Sequence, residues 1–320
     1  ADRPSRTARG RVSRVVARSV GHSRRHAEFR RRYGPAALVT GAAEGIGRAF
    51  AEGLAARRIE VFLLDVQGEA VRRTAREVEA LHGTPTYPVV ADLSRRDFMG
   101  TVRSALQAAG RAGDVGLVVC NAAIGLEGAF LDESLDDLHR SLDVNCHAVL
   151  DLVHGFGREL VARGRGGLLL IASGSALHGS PGYAGYAATK AFDLVLGESL
   201  WYELRPHGVD VLSFVPGPTN TPGLRRSLPR LREGREVGPI RLPGVTAEAA
   251  LEALGRRASA ARQRDHANRL AARRRAADAW IARQGGAKHL YRLFNDMRRL
   301  QMDAVGFRLT AEGEDLFDQI

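Results

Sequence analysis

The sequence predicts an α/β fold: a doubly wound parallel sheet flanked by helices. Three observations carry this. Between residues 36 and 215, six short apolar runs alternate with longer segments in which apolar and charged residues interleave. That alternation is the signature of βαβ units, and right-handed crossovers then cover both faces of the sheet. A glycine-rich turn, Gly41-Ala42-Ala43-Glu44-Gly45-Ile46-Gly47, follows the first run and opens the first helix. No internal repeat competes with this reading.

Taken in order, 36–39 is the first strand, and a helix from 46 to 57 leaves the glycine turn. The second strand is 60–64, followed by a helix at 71–81. The third strand, 86–90, leads into a helix at 98–109, and the fourth strand is 115–120. Residues 135–163 read as one long helix, 168–172 as the fifth strand, 186–204 as a helix and 209–215 as the sixth strand. Beyond that the character changes. Pro216, Pro218, Pro222, Pro229, Pro239 and Pro243 mark 216–245 as an irregular, mobile loop. A helix at 246–257 follows, with Thr246 as its N-cap. Residues 258–284 are Ala/Arg-rich and expected to be helical, and 290–305 are amphipathic. The expected organisation is a basic arm at 1–35, a sheet domain at 36–254 with a lid loop at about 218–245, and a helical extension at 255–320.

Composition bounds the class of protein. A chain of 320 residues, 44% hydrophobic and 26% charged, suits one large soluble α/β domain with appendages. No window approaches a membrane-spanning apolar run, so no transmembrane helix is expected. The two cysteines, Cys120 and Cys146, show no disulfide-type spacing, which points to a reduced, cytoplasmic setting. The formal charge of +11 is uneven: the arm at 1–35 carries 11 arginines against Asp2 and Glu28, whereas 36–224 is mildly acidic. Such an arm suits a solvated tail, an anionic membrane surface, a transit peptide or nucleic acid. Val12, Val15, Val16 and Val20 fall near helical spacing, which leaves a membrane-peripheral location open. Arginine dominates the whole chain, so the solvated tail is favoured and nucleic acid is the least favoured partner. No apolar run follows the arginines, so no cleavable secretory signal is expected.

The chemistry starts from a scarcity. Lysine occurs only at Lys190 and Lys288, against 45 arginines. Lys190 stands four residues after Tyr186, on one helical face. An ammonium is a compact point charge, unlike the broad guanidinium fork, and beside a phenol it favours the ionised form. That makes the phenol a usable general acid or base. The glycine turn suits a pyrophosphate: glycine permits the tight turn, and the helix N-terminus offers unpaired N–H groups. Asp65 ends the second strand, where a carboxylate accepts hydrogen bonds from ribose hydroxyls and repels a 2′-phosphate. The residues after it, Val66-Gln67-Gly68, bring no arginine, so NAD is preferred over NADP. Asp92-Leu93 and Asn121-Ala122-Ala123 follow the third and fourth strands, where parallel sheets bind ligands.

With Ser173 thirteen residues before Tyr186 and Asn145 on the preceding helix, the set resembles a short-chain dehydrogenase/reductase of the larger, classical type. The resemblance covers about 36–224. It rests on Thr40-Gly41-x3-Gly45-Ile46-Gly47, Asp65, Asp92, Asn121-Ala122-Ala123, Asn145, Ser173, Tyr186-x3-Lys190 and Pro216-Gly217-x3-Thr221. It implies a Rossmann-like fold and an oxidoreductase that moves a hydride between NAD(H) and a secondary alcohol or ketone. Tyr186 would be the acid or base, and Ser173 would polarise the carbonyl. Lys190 would hold the nicotinamide ribose, and Asn145 a relay water. Gly41, Glu44, Gly45, Ile46, Gly47, Asp65, Asp92, Leu93, Asn121 and Ala122 would line the cofactor site. Pro216, Gly217, Thr219 and Thr221 would hold the nicotinamide end. No metal is implied.

The segments 33–40 and 198–204 look closest to the ketoacyl-CoA and steroid reductase branch, whose members often favour NADP and touch membranes. An NADP-dependent, membrane-associated reductase and a non-redox member of the fold are the alternatives. Ala123 stands where glycine is usual, so a methyl must fit beside the cofactor. Leu126, His178 and Tyr183, with Leu224, Leu228 and Leu231 on the lid, suggest an apolar, lipid-like substrate. Arg225, Arg226 and Arg230 could meet an anionic group or lie solvated. The resemblance also implies a homodimer or homotetramer built on the helices at about 135–163 and 186–204.

Overall fold

A computed structural model describes residues 24–177, 182–225, 240–256 and 259–261. All belong to one compact unit that ends at Ala267. The sheet is built from β1 (Ala36–Thr40), β2 (Glu60–Asp65), β3 (Thr86–Val90), β4 (Val115–Cys120), β5 (Gly166–Ile171), β6 (Val209–Val215) and β7 (Ser259–Ala261). Every neighbouring pair is parallel, in the order β3-β2-β1-β4-β5-β6-β7. This is the doubly wound, Rossmann-like sheet the sequence predicts. The order reverses between β1 and β4, and that switch point opens the crevice in which such sheets bind ligands.

The strands carry near-continuous apolar runs because both faces are covered. Alternate side chains feed two separate cores. Ala37, Val39, Val61 and Leu63 face α2 (Gly45–Ala56), α3 (Gly68–His82) and α8 (Pro243–Ala253). Leu38, Phe62 and Leu64 face α4 (Phe98–Ala108) and α6 (Ala148–Arg163). Pro88 sits in β3, which pairs only with β2, so its missing N–H is tolerated at the sheet edge. Helix α7 (Ala184–Leu204) lies close on β6 through Gly197: a Cβ there would stand 2.1 Å from Ser213 Oγ.

Four expectations are corrected. The single helix over 135–163 is broken into α5 (Leu135–Leu142), a π-helical turn (Asp143–His147) and α6. The break carries Asn145, whose amide is pinned to the loop after β4. Helix α8 begins at Pro243, because proline's fixed φ suits the first helical position. Thr246 is therefore buried inside the helix rather than capping it, with its hydroxyl 3.0 Å from that of Thr219. The extension expected to be helical contributes a strand, β7, paired with Ser213, Phe214 and Val215 of β6. The rest of 255–320, beyond 256 and these three residues, lies outside the described residues.

The basic arm also differs from a free tail at its end. Residues 24–33 form a helix, α1, and its Phe29 and Tyr33 pack into the core. Tyr33 donates its hydroxyl to Asp210 at 2.6 Å, and Arg32 closes an ion pair on the same carboxylate. Burial together with that carboxylate pushes the Tyr33 phenol far above its ordinary value. Residues 1–23 lie outside the described residues. Among the described residues no helix is long and apolar enough to cross a membrane.

Candidate active site

At the end of β1 the chain turns through Gly41 and Gly45, whose φ angles of 64° and 62° lie in the left-handed region. A Cβ on Gly47 would stand 2.0 Å from the Gly41 carbonyl oxygen, so glycine is required for α2 to close on the turn. No side chain caps α2 at Glu44, and its first-turn N–H groups open onto the cleft. An uncapped helix start beside a positive-φ glycine is the donor set that suits a pyrophosphate.

Thr40 and Asn121 brace this turn against β4. The Thr40 hydroxyl accepts from the N–H of Asn121 and of Ala122, both at 3.0 Å, and donates to Val119 O. Asn121 Nδ2 donates to Thr40 O at 2.9 Å and Gly41 O at 3.3 Å. Asn121 thus acts through the turn's backbone while also lining the cleft.

The cleft has a volume of about 360 Å³ and runs along the carboxyl ends of β1, β2, β3 and β4. Its walls include Gly41, Glu44, Gly45, Ile46, Asp65, Asp92, Leu93, Asn121, Ala122 and Thr221, all residues the sequence places at the cofactor. Asp65 Oδ2 accepts from Ala43 N–H and Oδ1 from Gln67 N–H, both at 3.0 Å, which fixes the carboxylate at the rim. Burial would raise the Asp92 pKa, but the Ser94 hydroxyl and N–H, with Arg140 and Arg95 nearby, hold it below the usual carboxylate range. Among the described residues, Arg140 is the one cationic side chain on the cleft wall, 4.0 Å from the Asp92 carboxylate. Arg48 is drawn off by Glu52 and Glu77. Ala123 is exposed on the wall, so its methyl meets no crowding.

The second half of the site gathers where β5, the π turn and α7 meet. Asn145 is completely buried. Its Oδ1 accepts from Ile124 N–H at 2.8 Å, and Nδ2 donates to Ile124 O at 2.9 Å and Thr189 Oγ1 at 3.0 Å. The geometry makes Asn145 a brace between the β4 loop and α7, since both ends of its amide engage protein groups. Ser173 lies just past β5, half-buried, and its Oγ accepts from Ser175 N–H at 3.3 Å, leaving its own O–H to donate. Tyr186 is half-buried on the first turn of α7.

One turn on, Lys190 is driven fully into the protein. Its Nζ donates to Ile171 O, two residues before Ser173, and to Asp193 Oδ2, both at 2.9 Å. The side chains of Lys190 and Asp193 are 3% and 1% exposed. Burial works against the Lys190 charge, yet Asp193, then Tyr186, hold its pKa above the ordinary value. Burial pushes the Asp193 carboxyl up in spite of Lys190. Burial also raises the neighbouring thiols, Cys146 to about 11 and Cys120 beyond it, so both stay neutral.

After β6, Pro216 and Gly217 lead into the base of the lid. The Thr219 hydroxyl is turned to Gly217 O at 2.9 Å and to Thr246, and the residue is 5% exposed, so it braces the loop instead of facing the cleft. Thr221 does face it. Its methyl would lie 3.1 Å from a Cβ on Gly45, and its hydroxyl accepts from Leu224 N–H. The two ends of the lid pair with each other through Asn220 N–H to Arg241 O and Arg241 N–H to Pro218 O. Arg225 reaches back to Asn220 Oδ1 at 2.8 Å. His178, Arg226, Leu228, Arg230 and Leu231 lie outside the described residues. Sequence reasoning named Thr40 only as part of the glycine motif, and missed Arg140, Thr189 and Asp193. Only Asp193 left a trace, as a carboxylate three residues beyond the one lysine of the sheet domain.

A doubly wound sheet with an anion-binding turn at its switch point, a strand-end carboxylate and a Tyr–Lys helix defines a nicotinamide-dinucleotide-dependent oxidoreductase. Comparison with known proteins agrees: a family model for short chain dehydrogenases matches residues 35–231. The chain belongs to that family. It is 32% identical over 232 residues to the 7beta-hydroxysteroid dehydrogenase of Collinsella aerofaciens, covering 72% of this chain and 87% of that protein. It is 32% identical over 193 residues to the human inactive hydroxysteroid dehydrogenase-like protein 1, covering 59% of this chain and 57% of that protein. Among solved structures, a short-chain dehydrogenase from Sphingobium yanoikuyae in complex with NADPH superposes with a TM-score of 0.67 at 27% identity, covering 79% of this chain and 94% of that one. Family membership therefore does not by itself assign an activity, and the residues of the site must carry it.

Proposed function

We propose that this protein interconverts a bulky apolar secondary alcohol and its ketone with NAD(H) as cofactor. The observation that carries the reading is the buried Lys190 ammonium one turn after Tyr186, fixed on the carbonyl of Ile171 beside Ser173. When bound, the nicotinamide supplies the hydride. The uncapped start of α2 and the glycine turn would hold its pyrophosphate, Asp65 its adenosine ribose, and Lys190 its second ribose. In reduction, Ser173 donates a hydrogen bond to the carbonyl oxygen and Tyr186 gives that oxygen a proton; in oxidation Tyr186 takes it back. Pro216 and Gly217, at the end of β6, border the nicotinamide end of the site.

The choice of NAD over NADP rests on charge. A 2′-phosphate at the rim would meet the Asp65 carboxylate, and the arginines nearest to it each have a carboxylate partner: Arg48 has Glu52 and Glu77, Arg72 has Glu69, and Arg140 has Asp92. The Sphingobium relative binds NADPH, so the preference is a property of these residues and not of the fold. Asp65→Asn removes the charge, and its one amide oxygen can keep only one of the two backbone N–H bonds, to Ala43 or to Gln67. The ratio of kcat/KM for NADH to that for NADPH should then fall by about 10- to 100-fold, the worth of a charge-assisted hydrogen bond. An unchanged ratio in steady-state assays, or a wild-type preference for NADPH, overturns the assignment.

The substrate class rests on half-buried Leu126, Tyr183 and Leu224 around the catalytic end, and on the hydroxysteroid named for the Collinsella relative. Exposed Leu135, Leu142 and Leu150 on the α5–α6 stretch, with Val195 and Tyr202 on α7, support a homodimer or homotetramer built on these helices.

A further inference from the structure

We propose that Asp193 is a positioning residue of the catalytic centre: its carboxylate anchors Lys190 Nζ against the end of β5 and keeps the ammonium charged in an almost wholly buried position. The inference rests on the function proposed above, and its first test does not depend on turnover.

The geometry is specific. Lys190 and Asp193 lie three residues apart on α7, so the helix itself sets their separation. Both side chains are almost wholly buried. An ammonium has three N–H donors. Ile171 O takes one and Asp193 Oδ2 another, each at 2.9 Å, which leaves the third to point elsewhere. With two donors fixed, the direction of the third is fixed too, as a residue meant to grip a ribose hydroxyl beside Tyr186 requires. Ser213 supports the arrangement by donating to Asp193 O at 2.8 Å, which ties this turn of α7 to β6.

The pair is poorly built for stability alone. Asp193 Oδ1 is buried and meets no donor among the described residues, so within the protein only one of its two oxygens is answered by a hydrogen bond. Buried ion pairs are seldom more stable than apolar residues of the same volume. Elsewhere this chain meets carboxylates with arginine, at Glu60, Asp210 and Glu248 among others. Only here does a described lysine appear, and it is paired with a carboxylate that has no other charged partner among the described residues.

Other titratable groups around the pair are few. Tyr186 stands on α7, Cys120 at the end of β4 and Cys146 on the π turn. Both thiols stay neutral, so Asp193 is the negative charge beside Lys190. Removing a negative charge lowers the pKa of every proton loss near it. For ketone reduction the active form needs the Tyr186 phenol and the Lys190 ammonium both protonated. Removing the Asp193 charge lowers the pH at which Lys190 loses its proton, so the alkaline limb that Lys190 sets moves to lower pH.

The first measurement is nuclear magnetic resonance of lysine labelled at Cε in the intact wild-type chain. Only Lys190 and Lys288 can appear, and Lys288→Arg assigns them. Lys190 should keep its ammonium shift past about pH 10.4, the ordinary lysine value. In Asp193→Asn its transition should move down by about one to three pH units. Loss of the ammonium signal well below the ordinary value in the wild type overturns the proposal even if Asp193→Asn does not fold. The second measurement is the pH profile of kcat/KM for ketone reduction. Its alkaline limb should move down by about one unit or more in Asp193→Asn. A uniform drop in rate with the limb in place would make Asp193 merely structural. If no ketone is turned over by the wild type, the function fails while the resonance experiment still decides the pairing.

Discussion

Replacing Tyr186 by Phe should lower kcat/KM for ketone reduction by about 10²- to 10⁴-fold, the usual contribution of a positioned general acid. NADH affinity should change little, because the adenosine and pyrophosphate cleft is built by other elements: the Gly41–Gly47 turn, Asp65, Asp92 and Thr221. The phenol lies half-buried on the first turn of α7, so losing its hydroxyl leaves the packing intact. Parallel measurements of NADH binding by fluorescence and of turnover separate the two effects. A variant that binds NADH normally and still reduces ketones at the wild-type rate would remove Tyr186 from the chemistry.

The second large effect is on folding. Lys190→Met should destabilise the protein by about 3–5 kcal/mol, because it leaves Asp193 as an unpaired carboxylate in the interior. The pH dependence follows from the sign of the shift. Asp193 is already raised by burial, and without Lys190 its folded pKa sits further above the unfolded value. The deficit against wild type is therefore small below the unfolded carboxyl value of about 3.9, grows as pH rises, and is complete above the folded value. Lys190→Met/Asp193→Leu should recover most of the loss, since an apolar pair of similar volume needs no counter-ion. Urea titrations of the three proteins at several pH values check this. A double variant no more stable than the single one would show that the carboxylate is not the cause.

What the sequence makes legible, and what it hides, divides by range. Strand and helix order could be read because apolar runs such as 115–120 and 209–215 have no other use than a sheet covered on both faces. The glycine turn and Asp65 were equally open, since each rests on backbone geometry within a few residues. The π turn at Asp143–His147 was hidden, because the cause of the break is Asn145 meeting Ile124, twenty-one residues away. Thr246 looked like a cap because a hydroxyl before an apolar run usually is one, yet Pro243 starts the helix and Thr219 takes the hydroxyl. Strand β7 could not be found from Ser259-Ala260-Ala261, whose composition favours helix; pairing with β6 overrides it. The end of the basic arm was misjudged for a similar reason. Arg32 looks like one more solvated arginine until Asp210, far along the chain, is placed beside it.

The account stands on hydride transfer at the Tyr186–Lys190 centre, and the most direct test follows the hydride itself. The wild-type protein is incubated with NADH carrying deuterium at both C4 positions and a panel of ketones of graded size, and the alcohols are analysed by mass spectrometry. The account predicts one deuterium on the carbinol carbon of the bulky apolar products, and labelling at least about 100-fold slower with Tyr186→Phe. Bound NADH with no labelled alcohol from any ketone in the panel, or equal labelling by the variant, would contradict it.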